Sequence, residues 1–269
     1  ELHPWDLTDS LGISNAIKGS EIVYVTVGFP YQTKAWQALW PSFMRSVIEA
    51  CKTHHSRLVF FDNMYMYDSG QLQNMTEKTS INPTSAKGKV RAELNRMIFD
   101  AVEKDDLKAM IVRAADFYGP FNTTSMLIET VFKPLKNGKK ANWLGSVHCK
   151  HSFTYTPDAA KATAILGNDP AAYRQVWHLP TAKNPPTGKE WIEMAAREIG
   201  VKARYQSAGK MLVRFLGLFN PTLKELVEMM YQYNRDYIFD STKFETAYKF
   251  TPTPYAEGVK KIVELEYRR

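Results

Sequence analysis

Three short stretches of the chain hold side chains suited to chemistry at a bound ligand. INPTSAKGKVRAEL, residues 81–94, sets Pro83, Thr84 and Ser85 ahead of Lys87, Lys89, Arg91 and Glu93. A proline followed by a hydroxyl side chain marks a helix start, which places Lys89 one turn in. RLVFFDNMYMYD ends an apolar run in Asp62, Asn63, Tyr65 and Tyr67, and VRAADFYGP does the same with Asp116 and Tyr118. In open α/β sheets the ligand crevice lies outside the carboxyl ends of the strands, where such polar clusters meet a ligand. Each stretch also has a plainer reading. The tyrosines pack at a strand exit with wet hydroxyls, and Lys87 and Lys89 are solvated surface charges. For the lysines taken alone, spacing favours the plainer reading.

Patterning supplies elements to hold these residues. EIVYVTVGF (Glu21–Phe29), RLVFFD (Arg57–Asp62) and LKAMIVRA (Leu107–Ala114) are apolar, β-branched runs of buried-strand type. Between them, Trp36–Cys51 carries apolar residues at helical spacing and Ser85–Glu103 reads as a second helix. Strands apolar on both faces, alternating with helices, predict a parallel α/β sheet with right-handed crossovers. Beyond about residue 120 helical stretches dominate: Ser125–Leu135, Pro157–Leu166, Gly188–Ile199, Pro221–Asn234 and Pro254–Glu264. The expected division is therefore a sheet domain over 1–120 and a mainly helical lobe over 121–269, with 173–180 a candidate to return to the sheet.

Composition narrows the class. With 269 residues, 44% apolar and 23% charged, the chain has the make-up of an ordinary globular protein. Its net charge of +7 is dispersed, with short runs at Lys136–Lys140 and Lys260–Lys261, so nucleic acid is not an expected partner. Two cysteines, Cys51 and Cys149, and histidines without metal spacing argue against a disulfide framework or a metal site and for a reducing, cytoplasmic setting. No apolar run approaches the roughly 18 residues of a membrane span, and the first residues lack signal-peptide features, so no membrane is expected. There is no GxSxG elbow, no P-loop and no GxGxxG.

In chain order, WDLTD, VYVTVGF, RLVFFDNMYMYD, NPTSAKGKVRAE, VRAADFYGP, HSFTYTPDAAKA and FDSTKFETAYKFTPTPYAEGVKKIV resemble the extended short-chain dehydrogenase/reductase superfamily, in particular its NAD-dependent epimerase/dehydratase branch. The resemblance covers nearly the whole chain. It implies a Rossmann-type, doubly wound parallel sheet with a smaller, mostly helical C-terminal lobe, and NAD or NADP as cofactor. It implies that Asp6 and Leu7 contact the adenine, that Gly28 with Phe29 lets the backbone approach the cofactor, and that Arg113 lies on the cofactor side. Asn63 falls at the usual catalytic Ser/Thr, Ser85 at the catalytic Tyr, and Lys89 at the catalytic Lys. Asp116 and Tyr118 fall on the substrate pocket, His151 on an arginine that grips the substrate phosphate, and Asp158 on a helix-start acid. Helices 36–51 and 85–103 are where this family builds homodimers.

Three departures qualify these expectations. The glycine-rich loop that cradles the pyrophosphate belongs ahead of WDLTD, so the chain is expected to be a fragment without the first βαβ unit of roughly 30 residues. Serine at position 85 is shorter and far less acidic than tyrosine, so Tyr65 or Tyr67 becomes the candidate proton carrier. Histidine at 151 lacks a bidentate, permanently charged fork, which favours a small substrate over a nucleotide sugar. The expected function is an atypical NAD(P)-dependent epimerase, dehydratase or reductase acting at a carbonyl or alcohol carbon. The alternative is an inactive relative that binds dinucleotide or a protein partner.

Overall fold

In the computed structural model, which describes residues 6–267, the chain divides into two units, each assembled from separated stretches. Along the chain the elements are α1 (Ser10–Ile17), β1 (Ile22–Val25), α2 (Thr33–His54), β2 (Arg57–Asp62), α3 (Ala86–Lys104), β3 (Ala109–Arg113), β4 (Asp116–Tyr118), α4 (Lys133–Lys136), β5 (Ala141–Leu144), β6 (Phe153–Tyr155), α5 (Thr156–Asn168), β7 (Val176–His178), α6 (Gly188–Ile199), β8 (Tyr205–Ala208), α7 (Lys210–Leu216), α8 (Pro221–Leu226), α9 (Thr242–Tyr248) and α10 (Tyr255–Ile262).

The first unit takes the chain through Met66, then Ile81–Arg113 and Thr163–Trp177. Its sheet has the order β1-β2-β3-β7, with β1–β2 and β2–β3 parallel and Val23, Leu58 and Ala109 in register. β3 is buried along its whole length, as a strand covered on both faces must be. α2 runs 22 residues and turns Trp36, Trp40, Phe43, Met44, Val47, Ile48 and Cys51 inward, one continuous helical stripe. α3 starts where the Ser85 hydroxyl accepts the Gly88 amide at 3.0 Å, an N-cap, and packs beside α2. This is an α/β, Rossmann-like architecture. The division does not fall at a single point near residue 120, because 163–177 joins the sheet unit while Tyr67–Ser80 belongs to the other. β1 is shorter than the run Glu21–Phe29: its ladder ends at Val25↔Phe60, two residues before β2 itself ends, and Pro30 follows with no amide to donate.

The second unit, Tyr67–Ser80, Ala114–Ala162 and His178 onward, holds two short parallel pairs, β4–β6 and β5–β8. Its core gathers Tyr118, Phe132, Trp143, Phe153, Trp191, Tyr255 and Val259. α6 carries a capping box, Thr187 and Glu190 bonding each other's backbone amides, and ends at Gly200 in the left-handed region (φ +79°). Pro221–Asn234 is not one α-helix: α8 stops at Leu226 and a 3-10 stretch carries on to Tyr233.

Gly88 admits no side chain, because a Cβ there would run into the Tyr65 carbonyl oxygen and the Pro83 side chain. Gly88→Ala should therefore lower stability by about 1–3 kcal/mol, read from the urea midpoint, since a backbone oxygen cannot swing aside. Burial pushes the Cys51 thiol up from its ordinary 9.0 to about 12. Between those values the unfolded thiol ionises while the folded one does not. Its contribution is thus intact below pH 9 and declines as pH rises through that window. At about pH 8 a thiol reagent should label one cysteine, the half-buried Cys149, in native protein and both in urea.

Candidate active site

The first unit closes its strand ends with charge. The Asp62 carboxylate at the end of β2 is fully buried, accepting the Asn95 side-chain amide at 2.8 Å and the Asn63 backbone amide at 2.9 Å. Two guanidiniums flank it, Arg91 from α3 at 3.5 Å and Arg113 from β3 at 3.9 Å, and Arg113 also donates to Asn95. Burial raises the Asp62 carboxyl above its ordinary value, against the pull of Arg91, Arg113 and Asn95. Arg91 lies over the rings of Trp40 (4.1 Å), Trp36 (4.6 Å) and Phe60 (5.6 Å), which shield its plane while Asp62 takes its edge. The same guanidinium is within electrostatic reach of the Tyr31 and Tyr65 phenols.

One turn before Arg91, Lys87 has no exposed surface; its ammonium donates to the Thr33 hydroxyl at 3.1 Å and sits 4.6 Å over the Tyr31 ring. Tyr65, half-buried, stacks on Trp36. Tyr31, Thr33 and Tyr65, each half-buried, thus stand beside two buried cations, Lys87 at Tyr31 and Thr33 and Arg91 near Tyr31 and Tyr65.

The second unit has its own polar cluster at the start of β4. Asp116 Oδ2 accepts His151 Nε2 at 2.9 Å and the Tyr233 hydroxyl at 3.2 Å. The His151 ring lies between Tyr237 (4.3 Å) and Tyr233 (5.0 Å), parallel to both within 4°, and is 2% exposed. Trp191 Nε1 donates to its carbonyl. Elsewhere in this unit Tyr67 bonds His178 Nε2 at 2.6 Å. The other ring nitrogen of His178 donates to the Asp240 carbonyl, so the phenol is the donor. Tyr118 is fully buried, and burial lifts its hydroxyl well above the ordinary value, keeping it neutral.

The structure places the expected site residues as follows. Ser85 is 2% exposed and caps α3, and Lys89 points to solvent while Lys87 faces inward. The cause is helical phase: 87, 91, 95 and 98 share the buried face, and 89 falls opposite. Arg113 is 1% exposed and engaged with Asp62 and Asn95. Asn63 accepts the Tyr65 backbone amide, and Tyr67 is committed to His178. Asp6 is exposed and bonded to Thr8, Leu7 packs on the first core, and Phe29 meets Trp40 and Phe43 edge-on. Gly28 is exposed, with nothing within 4 Å of a built Cβ. Asp158 accepts both the amide and the hydroxyl of Thr253. Trp5 of the WDLTD motif lies outside the described residues. Asp116 and His151, 35 positions apart, are brought into direct contact.

Sequence reasoning gave no role to Arg91, Asn95, Tyr233 or Tyr237. For the first two a signal was present: Lys87, Arg91 and Asn95 recur at four-residue spacing on the same face as Leu94 and Ile98. For the tyrosines, 82 and 86 residues downstream of His151, there was none.

The NAD dependent epimerase/dehydratase family matches residues 2–177. UDP-glucose 4-epimerase of Thermus thermophilus, solved with NAD, is 15% identical with a TM-score of 0.77, covering 97% of this chain and 83% of that one. dTDP-glucose 4,6-dehydratase of Bacillus anthracis, also with NAD, is 15% identical with a TM-score of 0.79, at 97% and 77% coverage. A UDP-galactose 4-epimerase is 18% identical with a TM-score of 0.74, at 98% and 82%. At these identities the likeness is one of fold. No curated protein sequence matches the chain significantly.

Asp62→Ala should cost about 3–5 kcal/mol in urea unfolding, since it strands two buried guanidiniums. Lys89→Ala should change stability by no more than about 0.5 kcal/mol.

Proposed function

The chain belongs to the NAD dependent epimerase/dehydratase family, and from that premise we propose an NAD(P)-linked oxidoreductase or epimerase reaction at a carbonyl or alcohol carbon, with the phenol of Tyr65 as the proton carrier. The observation that carries this is that half-buried Tyr31 and Tyr65 stand beside buried Lys87 and Arg91. It reproduces the physical requirement of a phenol beside a cation without a tyrosine at position 85.

The residues fit one end of the cofactor. Gly28, with open space where a side chain would stand, leaves room for a nicotinamide ribose at the end of β1. The residues 1–269 contain no glycine-rich loop for the pyrophosphate, so the fit concerns the nicotinamide end alone. When bound, the nicotinamide gives or takes hydride. Tyr65 donates or accepts the substrate hydroxyl proton, Arg91 stabilises the phenolate, and Lys87 holds Tyr31 and Thr33 in place. Ser85 keeps the helix start closed.

The substrate is small and lacks a diphosphate. Asp116 puts a carboxylate, 19% exposed, on the histidine that stands where a phosphate-gripping arginine would be, and a carboxylate repels phosphate. The same reading includes a homodimer through α2 and α3, checked by solution mass.

Tyr65→Phe should lower kcat at least about 100-fold in NAD(P)H oxidation with a panel of aldehydes and ketones, leaving the quench of NAD(P)H fluorescence in place. Unchanged turnover would sink the assignment. The capping role of Ser85 and the exposure of Lys89 favour a second reading, an inactive dinucleotide-binding relative. Cofactor binding without turnover on any carbonyl or sugar nucleotide would establish it.

A further inference from the structure

The largest exposed apolar side chains cluster in one short segment of the second unit. Met211 and Phe219 are each 80% exposed, Leu218 74% and Phe215 59%, with Leu212 and Leu216 also open to solvent. They project from α7 and the turn that joins it to α8, while Val213 alone among the large apolar side chains of α7 points inward. Singly exposed apolar residues are ordinary, but six within nine positions form a patch that a free protein surface rarely keeps.

The segment is built, not slack. Gly217 packs so closely on α8 that a Cβ would stand 3.0 Å from the Lys224 backbone. Asn220 caps α8 through the amides of Thr222 and Leu223, and the Phe215 and Phe219 rings meet edge-on at 5.9 Å. The apolar side chains are therefore held outward by the backbone.

Charge selects what covers them. From Val201 to the end of α8 at Leu226 there are five basic residues, Lys202, Arg204, Lys210, Arg214 and Lys224, against one acidic residue, the half-buried Glu225. All five are exposed. β8 pairs with β5, where the Ala141 amide donates to the Arg204 carbonyl, so the exposed Lys139 and Lys140 adjoin the same surface. Long apolar side chains among lysines and arginines are the composition of an interfacial anchor, which sinks its apolar residues to the acyl boundary and leaves its cations among anionic headgroups. A protein partner would instead be met by a patch whose centre is depleted of charge. Among the described residues no helix is long and apolar enough to cross a membrane, so this contact lies on the surface.

We propose that the α7–α8 segment is a peripheral attachment site for an anionic lipid bilayer, seating Met211, Phe215, Leu218 and Phe219 at the headgroup boundary with Lys210 and Arg214 beside them. The attachment is independent of the chemistry assigned to the first unit.

Co-sedimentation of the full chain with phosphatidylcholine vesicles, with and without about one-third phosphatidylserine, tests this directly. Binding should require the anionic lipid and weaken at high salt. Phe215→Ser with Phe219→Ser, and separately Lys210→Glu with Arg214→Glu, should each lower the partition at least about tenfold with unchanged urea midpoints, as expected for exposed residues. Equal binding to neutral vesicles, no binding, or indifference to either pair overturns the proposal. So does a concentration-dependent rise in solution mass that the Phe pair abolishes, which would make the patch an interface between copies.

Discussion

A single buried carboxylate governs the first unit. Asp62 ends β2 with no exposed side-chain surface, and its neighbours come from three directions: Arg91 and Asn95 from α3, Arg113 from β3, and the Asn63 amide from its own chain. An ion in such a place must be matched by charge and hydrogen bonds or the fold fails there. Matching it sets the rotation of α3 about its axis, because Arg91 and Asn95 must face the strand ends. Once that rotation is set, Lys87 lies inward over Tyr31, and Lys89 faces water.

The candidate chemistry follows from this geometry. Arg91, which balances Asp62 on one side, lies within electrostatic reach of the Tyr31 and Tyr65 phenols on the other, so a residue that holds the fold also shapes the surroundings of the proposed proton carrier. In the second unit the Asp116–His151–Tyr233 arrangement has the same economy. Its histidine is clamped between two aromatic rings and bonds a carboxylate through Nε2.

Legibility in the sequence varies with the range of the interaction. Arg57–Asp62 is a strand as read, and Gly188–Ile199 a helix as read, because Thr187, Glu190 and Gly200 are local signals written within a few residues of the ends they control. Pro221–Asn234 misleads because apolar spacing does not distinguish an α-helix from an α-helix continued as 3-10 turns. Lys89 is the natural choice of lysine by motif spacing, whereas Lys87 shares the four-residue repeat with Arg91 and Asn95. A charged residue on a buried face is invisible to a hydrophobic pattern until its partner is known.

The sequence by itself determined the family and the alternation of strands and helices, since these depend on residue type and order. Only the tertiary structure decided which lysine is buried and that Asp116 meets His151 and Tyr233. The physical reason is that desolvation and charge pairing act through space. A residue's neighbours 35 or 117 positions away determine whether it is solvated, clamped or free to react.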